Sequence, residues 1–405
     1  MKTLLQINIV VNFGSTGRII EELGETAFQN GWNSYIAYGR KGKPENTKTI
    51  RIGSNWDVIF HGLFTRIFDR HGFGSRNATY KLLKQIEEIK PDIIHLHNLH
   101  GYYINIDILF NYIVRRNIPV VWTLHDCWPI TGHCVYFDVI HCQKWKTTCF
   151  SCPQKHEYPA SYGIDNCSKN YVLKKKIFNS LNKLTLVPVS EWLEKIIKES
   201  YLAKYPTHVI NNGIDIDLFH PVKQKTIREK YNIQDRFIIL GVASDWSPRK
   251  GLNDFIKLSK ELDSTYCIIL IGLNPFQKLF LPSNIIGLGR TENTQQLVTF
   301  YSEADVFFNP SLEESFGLTT VEAFACGVPV IVLNASASPK LILPETGFIV
   351  EKGDIQGLIE AINIIKRKGK ESFSQACREL AKKLYNKNYR HIDYINLYES
   401  ILIDK

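Results

Sequence analysis

Short apolar runs rich in isoleucine and valine alternate along the chain with longer segments of helical periodicity. The runs are LLQINIVV, SYIAYG, DIIHLH, PVVWTLH, LTLVPVS, FIILGVAS, YCIILIG, NIIGLG, DVFFNPS and VPVIVL. Strands buried on both faces have this composition, and their alternation with helices predicts parallel sheets built from βαβ units. Because about ten strands exceed one twisted sheet of ordinary size, we expect an α/β fold with two doubly wound, Rossmann-like domains.

The joint between the two predicted sheets is the turn-rich stretch THVINNGIDIDLFHPVKQKT. We place an N-terminal domain at residues 1–214 and a C-terminal domain at residues 215–386. Residues 387–405 predict an amphipathic helix, with apolar or aromatic side chains at Tyr389, Ile392, Ile395, Leu397, Tyr398 and Ile401. A terminal helix ordinarily caps its own domain, and the alternative is that this one returns to the first domain.

Composition and charge narrow the class of protein. The 405 residues are 44% apolar and 22% charged, which is typical of a globular chain, and the formal charge of +9 favours acidic partners. These partners could be nucleic acid, an anionic membrane or a phosphorylated small molecule. Polar residues interrupt MKTLLQINIVVNF, and no apolar run approaches the roughly 18 residues of a spanning helix. We therefore expect a cytoplasmic protein, either free or peripheral on the inner face of the cell membrane.

Ligands of open α/β sheets bind beyond the carboxyl ends of the strands, so the residues that follow each run are the candidate site. After the first run, NFGSTGR offers Gly14, Ser15 and Gly17 at the start of a helix, where close backbone approach and helix amides favour phosphate or sugar. A simple strand-to-helix turn is the alternative. After FIILGVAS, Arg249 and Lys250 suit a diphosphate, and the alternative there is a solvated basic turn.

Histidines follow two strands of the first half. His125 and Asp126 end PVVWTLHD, where the carboxylate could fix the tautomer of the imidazole. His97, Asn98 and His100 follow DIIHLH, and some of these histidines must be structural, since a lone histidine is more often a satisfied core residue.

Two acids eight residues apart occupy EESFGLTTVEA, after the run DVFFNPS. Glu314 lies in the predicted loop, whereas Glu322 lies on the first turns of a helix that begins near Gly317. Amides at that helix N-terminus can hold a phosphate, and carboxylates accept strong hydrogen bonds from sugar hydroxyls. One acid for each of two sugars, with phosphate between them, matches a nucleotide sugar.

Glu314 and Glu322 form the E-x7-E signature of retaining glycosyltransferases of family 4, and PSLEESFGLTTVEAFACGVPVI resembles that family's motif. NNGIDIDLF, Lys250 with Gly251, the His-Asp pair and GSTGR fall in the same order, so the resemblance spans essentially the whole chain. HNLHGYYIN and TLHDCWPITGHC resemble a bacterial subgroup of polysaccharide and exopolysaccharide assembly related to the colanic acid transferases. The resemblance implies a GT-B fold, with two Rossmann-like domains facing across a cleft and a last helix that crosses back to the first.

The resemblance also implies residue roles. The implied catalytic residues are Glu314, which binds the donor sugar hydroxyls, His125, which lies near the transferred sugar, and Lys250, which binds the diphosphate. The implied donor-binding groups are Glu322 on the ribose, Arg249, the amides of Phe316, Gly317 and Leu318, and the residues Gly14, Ser15 and Gly17. The implied acceptor side contains His97, Asn98 and His100. Members of the family often have an arginine at the position of Asp245. In this interpretation Arg249 takes the role of that missing arginine. No catalytic metal is expected, because no Asp-x-Asp pair stands at a strand end.

Cysteines crowd the segment of residues 127–167, an insertion after the His125 strand. Cys134, Cys142, Cys149 and Cys152 have the pattern C-x7-C-x6-C-x2-C. Four thiolates in a reducing compartment suit structural zinc, and buried free thiols are the alternative.

The function that fits best is a retaining hexosyltransferase. It would use a UDP- or GDP-sugar and extend a glycan on undecaprenyl diphosphate, for capsule, O-antigen or exopolysaccharide. Basic stretches such as KLLKQ and VLKKKIFNSLNKL favour an anionic membrane as a further partner. A nucleotide-sugar epimerase on the same fold is the second reading. A zinc-containing nucleic-acid binder is the third, and it is disfavoured because the aromatic residues do not interleave with the basic runs.

Overall fold

The computed structural model describes residues 1–42, 44–223 and 226–403, and the chain divides into two compact units. Unit 1 is Met1–Asn211 together with Arg390–Lys405, and unit 2 is Asn212–Tyr389. Each unit contains one six-stranded sheet, and the strand pairs of both sheets are parallel. The predicted α/β class with two doubly wound sheets is therefore confirmed.

Unit 1 alternates strands and helices. Its elements are β1 Thr3–Asn8, α1 Gly14–Gln29, β2 Asn33–Tyr38, β3 Lys48–Arg51, α2 Asn55–Phe68, α3 Arg76–Ile89, β4 Ile93–Leu96, α4 Ile106–Arg116, β5 Val120–Leu124, α5 Cys167–Phe178, β6 Leu184–Pro188 and α6 Glu191–Lys198. The strand order is β3-β2-β1-β4-β5-β6. This order brings the ends of β1, β4 and β5 side by side.

Unit 2 repeats the arrangement. Its elements are α7 Thr226–Lys230, β7 Phe237–Val242, α8 Leu252–Glu261, β8 Tyr266–Ile271, α9 Pro275–Leu279, β9 Ile285–Leu288, α10 Thr294–Glu303, β10 Val306–Asn309, α11 Leu318–Ala325, β11 Val330–Leu333, β12 Gly347–Val350, α12 Ile355–Lys368, α13 Glu371–Leu384 and the beginning of α14 Lys387–Ile403. The order β12-β11-β10-β7-β8-β9 is that of unit 1 read from the other edge. The ends of β7, β10 and β11 are consequently neighbours.

The strands form where the sequence places apolar runs, because both faces of each central strand are covered. Every residue of β1, β4, β5, β10 and β11 is buried. Each predicted run contains a strand, but the runs missed β3 and β12. These two are edge strands. An edge strand is paired on one side only and tolerates exposed residues, and both β3 and β12 carry such residues, which weaken their apolar signature. The other two edge strands, β6 and β9, have no exposed residue and were predicted.

Most of helix α14 belongs to unit 1 and packs into its core. Tyr394, Ile395, Leu397 and Tyr398 are buried in a cluster with residues of β1, β4, β5 and α1. The hydroxyl group of Tyr398 is hydrogen-bonded to Nδ1 of His95, at 2.6 Å. The buried face differs from the predicted one, because Tyr389 and Ile392 are exposed and Tyr394 replaces them.

Replacing Tyr398 by alanine should destabilise unit 1 strongly. The side chain is fully buried, so Tyr398→Ala leaves a cavity and removes the partner of His95, at a cost of about 3–5 kcal/mol. Tyr389→Ala on the same helix is the matched control, since that side chain is 56% exposed, and it should change stability by less than about 0.5 kcal/mol. Urea unfolding followed by circular dichroism measures both. Equal effects of the two variants would show that α14 does not depend on this packing.

Candidate functional site

The loops that follow the neighbouring strands β7 and β10 are tied together in unit 2. Lys250 and Glu314 form an ion pair whose side chains are 18% and 14% exposed. Beside it, Arg249 Nη1 donates to the carbonyl oxygen of Glu313 at 3.1 Å, and the amide of Leu312 donates to the carbonyl oxygen of Arg249 at 2.8 Å. The sequence placed these cations and this acid after separate strands, and the fold brings them into contact.

A glycine makes this close approach sterically feasible. Gly251 has φ +74° and begins α8. A Cβ atom there would lie 2.6 Å from both Cβ and the carbonyl oxygen of Pro310, a contact that real Cβ atoms do not make. The glycine thus allows the backbone next to Lys250 to pass against the strand end that leads to Glu314.

A third loop fixes the position of Glu314. The amide of Glu314 donates to Oγ of Ser336 at 2.8 Å, and the amide of Ala337 donates to the carbonyl oxygen of Glu314 at 3.2 Å. Ser336 follows β11, which pairs directly with β10. Sequence reasoning missed this serine, although it occupies the loop after the run VPVIVL and could have been found there.

Glu322 lies on the first turns of α11, as predicted, and is buried. Its Oε2 accepts a hydrogen bond from the hydroxyl group of Tyr301 at 3.0 Å. Burial, and then the Glu322 carboxylate, raise the pKa of Tyr301 well above its usual range, so this hydroxyl stays protonated and keeps donating. Tyr301 is a second residue that the sequence did not reveal, because it comes from helix α10.

Gly317, which has φ +106°, is the N-cap residue of helix α11. Within the described part of the chain, no side chain caps the helix at this residue. Phe316 is buried and packs edge-on against Tyr385, so its side chain anchors the turn. The predicted phosphate-binding groups are the amides of Phe316, Gly317 and Leu318. They therefore lie at the start of a helix that is anchored by packing, between the two acids.

In unit 1, the strand ends carry a hydrogen-bonded histidine chain. His97 is buried, its Nδ1 lies 3.2 Å from Nε2 of His125, and its Nε2 lies 3.2 Å from Oε1 of Gln6. Burial lowers the pKa of both imidazoles. The pKa of His97 falls well below its usual range, and the pKa of His125 falls to about 4. Both imidazoles are therefore neutral at pH 7.

Asp126 does not hydrogen-bond the imidazole next to it in sequence. Its Oδ2 lies 2.7 Å from Nε2 of His100, and its Oδ1 accepts from the amide of Trp128 at 2.9 Å. The other ring nitrogen of His100 is 3.0 Å from the hydroxyl group of Tyr158. Burial alone would raise the pKa of Asp126, but His100 and the Trp128 amide outweigh it and the pKa is lowered. The carboxylate thus orients His100, and the hydrogen-bonded partner of His125 is His97.

The remaining predicted residues of unit 1 differ in exposure. Gly14 and Ser15 are exposed at the start of α1, and Gly14 has φ +65°. Gly17 is buried, and a Cβ atom there would lie 3.1 Å from Cγ2 of Val10, so it serves helix packing. The backbone of Asn98 is held by hydrogen bonds to Asn8 and Tyr103, while its side chain is partly exposed.

The cysteine segment does not assemble the zinc site that its spacing predicts. Within residues 1–42, 44–223 and 226–403, no group of three or more His, Cys, Asp or Glu side chains is placed to hold a metal ion. Cys134 is hydrogen-bonded to Cys152, and the Sγ of Cys149 accepts from the amide of Gly132 at 3.3 Å. These thiols, with Cys142, line one cavity as free cysteines. Cys134 is buried, whereas Cys142, Cys149 and Cys152 are half-buried.

Two family models together match nearly the whole chain. Residues 16–218 match the model described as Glycosyltransferase Family 4, and residues 223–388 match the model described as Glycosyl transferases group 1. These matches show a glycosyltransferase, and its two parallel sheets with interleaved helices form a GT-B fold. The chain belongs to glycosyltransferase family 4.

Named relatives agree with this membership. WcaC of Escherichia coli (strain K12), whose name assigns it provisionally to colanic acid biosynthesis as a glycosyl transferase, is 24% identical over 98% of this chain and 100% of its own. Among solved structures, sucrose-phosphate synthase from Thermosynechococcus elongatus superposes with a TM-score of 0.74 and 18% identity, covering 100% of both chains. Anabaena Alr3699/HepE in complex with UDP superposes with a TM-score of 0.69 and 16% identity, covering 99% of this chain and 100% of its own.

The neutral state of His125 predicts a loss of stability in mild acid. Its folded pKa of about 4 lies below the usual 6.5, so the stability it contributes is present above pH 6.5 and is lost as the pH falls toward 4. By pH 5 the loss should be about 2 kcal/mol. His125→Gln should show a shallower decline of the urea midpoint between pH 7 and pH 5.

The exposed His208 provides the control for this measurement. His208→Gln should retain the pH dependence of the wild type, because its imidazole faces solvent. A wild-type slope in His125→Gln would contradict the assignment of a neutral, buried His125.

Proposed function

We propose that this glycosyltransferase moves a hexose, with retention of anomeric configuration, from a UDP- or GDP-sugar to a hydroxyl group of a growing bacterial surface polysaccharide. The observation that carries the proposal is the ion pair between Lys250 and Glu314 beside the start of α11, with Glu322 on the same helix. A diphosphate needs cations and amide donors, and sugars need carboxylate acceptors. The site supplies all three within one unit.

In the proposed mechanism, donor binding rearranges the charges of this pair. The diphosphate takes the Lys250 ammonium group and the α11 amides, which releases Glu314 to accept hydrogen bonds from hydroxyl groups of the hexose. The bond between the anomeric carbon and the diphosphate oxygen breaks, and the acceptor oxygen bonds to the same face of that carbon. The acceptor proton passes to the departing diphosphate. Glu322, oriented by Tyr301, binds the ribose.

The acceptor side is proposed to lie at the strand ends of unit 1. His100 is oriented by Asp126 and Tyr158 and is partly exposed, so it can contact an acceptor hydroxyl group. His125 is proposed to contact the transferred sugar as a neutral donor or acceptor. Assignment to surface polysaccharide draws support from the name of WcaC, which refers to colanic acid biosynthesis. A lipid-linked acceptor and attachment to the cytoplasmic face of the membrane are further parts of the proposal, and the basic charge of the chain favours an anionic membrane. No finding favours the epimerase reading.

Lys250→Ala should weaken binding of the free nucleoside diphosphate. The ammonium group is proposed to meet the diphosphate in both donor and product, so its loss should raise the Kd about 10-fold or more. The matched control is Lys257→Ala on the following helix α8. Product inhibition by UDP and GDP measures the effect, and unchanged inhibition in Lys250→Ala would refute the diphosphate contact.

Substitution of the two acids should change different kinetic constants. Glu322→Gln removes the negative charge from an acceptor remote from the reacting carbon, so mainly the donor KM should rise. Glu314→Gln removes a negative group near the carbon that becomes positive, so kcat should fall by about 100-fold or more. Steady-state kinetics with the active donor separates the two effects.

Tyr301→Phe provides the conservative control for Glu322. It keeps the packing and removes only the hydroxyl group, so it should raise the donor KM in the same direction as Glu322→Gln and leave kcat near the wild-type value. Normal kcat with raised KM in Glu314→Gln would contradict its role beside the transferred sugar. A product of inverted configuration by NMR would contradict retention.

A further inference from the structure

Helix α2 exposes its apolar side chains. The exposed stripe consists of Trp56, Ile59, Phe60, Leu63, Phe64, Ile67 and Phe68. The exposed fractions run from 38% for Phe64 to 68% for Trp56. On an ordinary surface helix such a stripe, with residues three and four apart, faces the core. Here it faces solvent, and it forms the centre of what we call the α2 patch.

The buried side of α2 is polar, and its hydrogen bonds fix the rotation of the helix. Nδ1 of His61 lies 2.9 Å from Oγ of Ser75, and its Nε2 accepts from the amides of Gly72 and Gly74 at 3.2 and 3.1 Å. The hydroxyl group of Thr65 donates to the carbonyl oxygen of His61 at 2.9 Å. Turning the stripe inward would break the bonds of His61 to Ser75, Gly72 and Gly74, so the exposure of the stripe is a stable feature of the fold.

A second segment extends the patch at the end of α2. The amides of Tyr162 and Gly163 donate to the carbonyl oxygen of Arg66 at 2.8 and 3.1 Å, and the amide of Ile164 donates to that of Ile67 at 2.9 Å. The side chains of Tyr162 and Ile164 are 66% and 54% exposed. We include both in the α2 patch, which is therefore larger than one helix face.

Cations flank the patch at both ends. At one end, Arg66 is exposed on α2 itself, and Lys155 donates to the carbonyl oxygen of Gly163 at 2.9 Å. At the other end, an open depression of 540 Å³ is lined by Phe13, Arg40, Lys41, Gly42, Arg51, Asn55, Val58 and Ile59. Three cations thus lie next to the first turn of the stripe.

We propose that the α2 patch inserts into the headgroup boundary of an anionic lipid bilayer, with Arg40, Lys41, Arg51 and Arg66 contacting lipid phosphates. Aromatic and aliphatic side chains on one face, bordered by cations, suit the interface plane of a membrane. No helix in the described ranges is both long and apolar enough to span a bilayer, so the contact is peripheral. A second copy of the chain fits less well, because a symmetric pairing would bring the same cations together.

The test is cosedimentation of the full chain with lipid vesicles, without any sugar donor, so its failure is separate from failure of the proposed reaction. Vesicles of phosphatidylcholine mixed with phosphatidylglycerol are compared with vesicles of phosphatidylcholine alone. Phe60→Ser/Phe64→Ser/Ile67→Ser should weaken partitioning about 100-fold or more, because three inserting side chains lose their apolar surface. The thermal midpoint should fall only slightly, since the three side chains are 64%, 38% and 51% exposed.

Unit 2 provides a control of equal size. Phe276, Leu279 and Phe280 are 69%, 79% and 67% exposed, and Phe276→Ser/Leu279→Ser/Phe280→Ser should partition like the wild type. A charge variant, Lys41→Gln/Arg51→Gln, should lose about 10-fold in binding to the anionic vesicles and little on phosphatidylcholine.

Three results would overturn the proposal. The first is wild-type partitioning of the α2 triple variant, and the second is an equal loss in both triple variants. The third is a wild-type protein that binds none of the vesicles and elutes as a dimer, when only the α2 triple variant elutes as a monomer. That result would assign the patch to a contact between copies of the chain.

Discussion

Parallel pairing of the strands is the constraint on which the two sites depend. In a parallel sheet the carboxyl ends of all strands lie on the same side of the sheet. The loops after neighbouring strands therefore lie close together, however far apart they are in sequence. In unit 2 this places Lys250, which follows β7, against Glu314, which follows β10, with Ser336 after β11 behind it. In unit 1 the same rule places His97, which follows β4, next to His125, which follows β5, and Gln6 within β1 extends their hydrogen-bonded chain.

Polar side chains at these strand ends are held by partner residues that lie outside the predicted motifs. Tyr301 holds Glu322, and Tyr158 shares His100 with Asp126. Tyr398, from the last helix, holds His95 behind the histidine chain. The bonds of Tyr301 and Tyr398 are buried, and leaving a buried polar group unpaired is costly, so these two partners restrict the orientation of Glu322 and His95. The bond between Tyr158 and His100 is exposed and restricts His100 less strongly.

The strands and the residues at their ends could be predicted from sequence because burial on both faces leaves a strong apolar signature and ligands bind where such strands end. The strands β3 and β12 carry exposed residues, so their signature is weaker than that of the other two edge strands, β6 and β9. The partner of Asp126 could not be predicted, because the choice between His125 and His100 depends on side-chain direction at two strand ends. The cysteine spacing suggested zinc but could not reveal which thiols meet, and the fold pairs Cys134 with Cys152 and Cys149 with the amide of Gly132. In α2 the periodicity is equally compatible with an inward or an outward stripe, and the polar contacts of His61 decide between them.

The central claim is that unit 2 binds a nucleoside diphosphate sugar through the Lys250–Glu314 site. Isothermal titration of the full chain with UDP, GDP and the corresponding nucleosides measures this most directly. The account predicts one saturable site per chain for one of the two diphosphates, with the matching nucleoside bound at least about 10-fold more weakly because the diphosphate contacts are missing. Equal affinity for nucleoside and nucleoside diphosphate, or saturable binding of neither diphosphate, would contradict it.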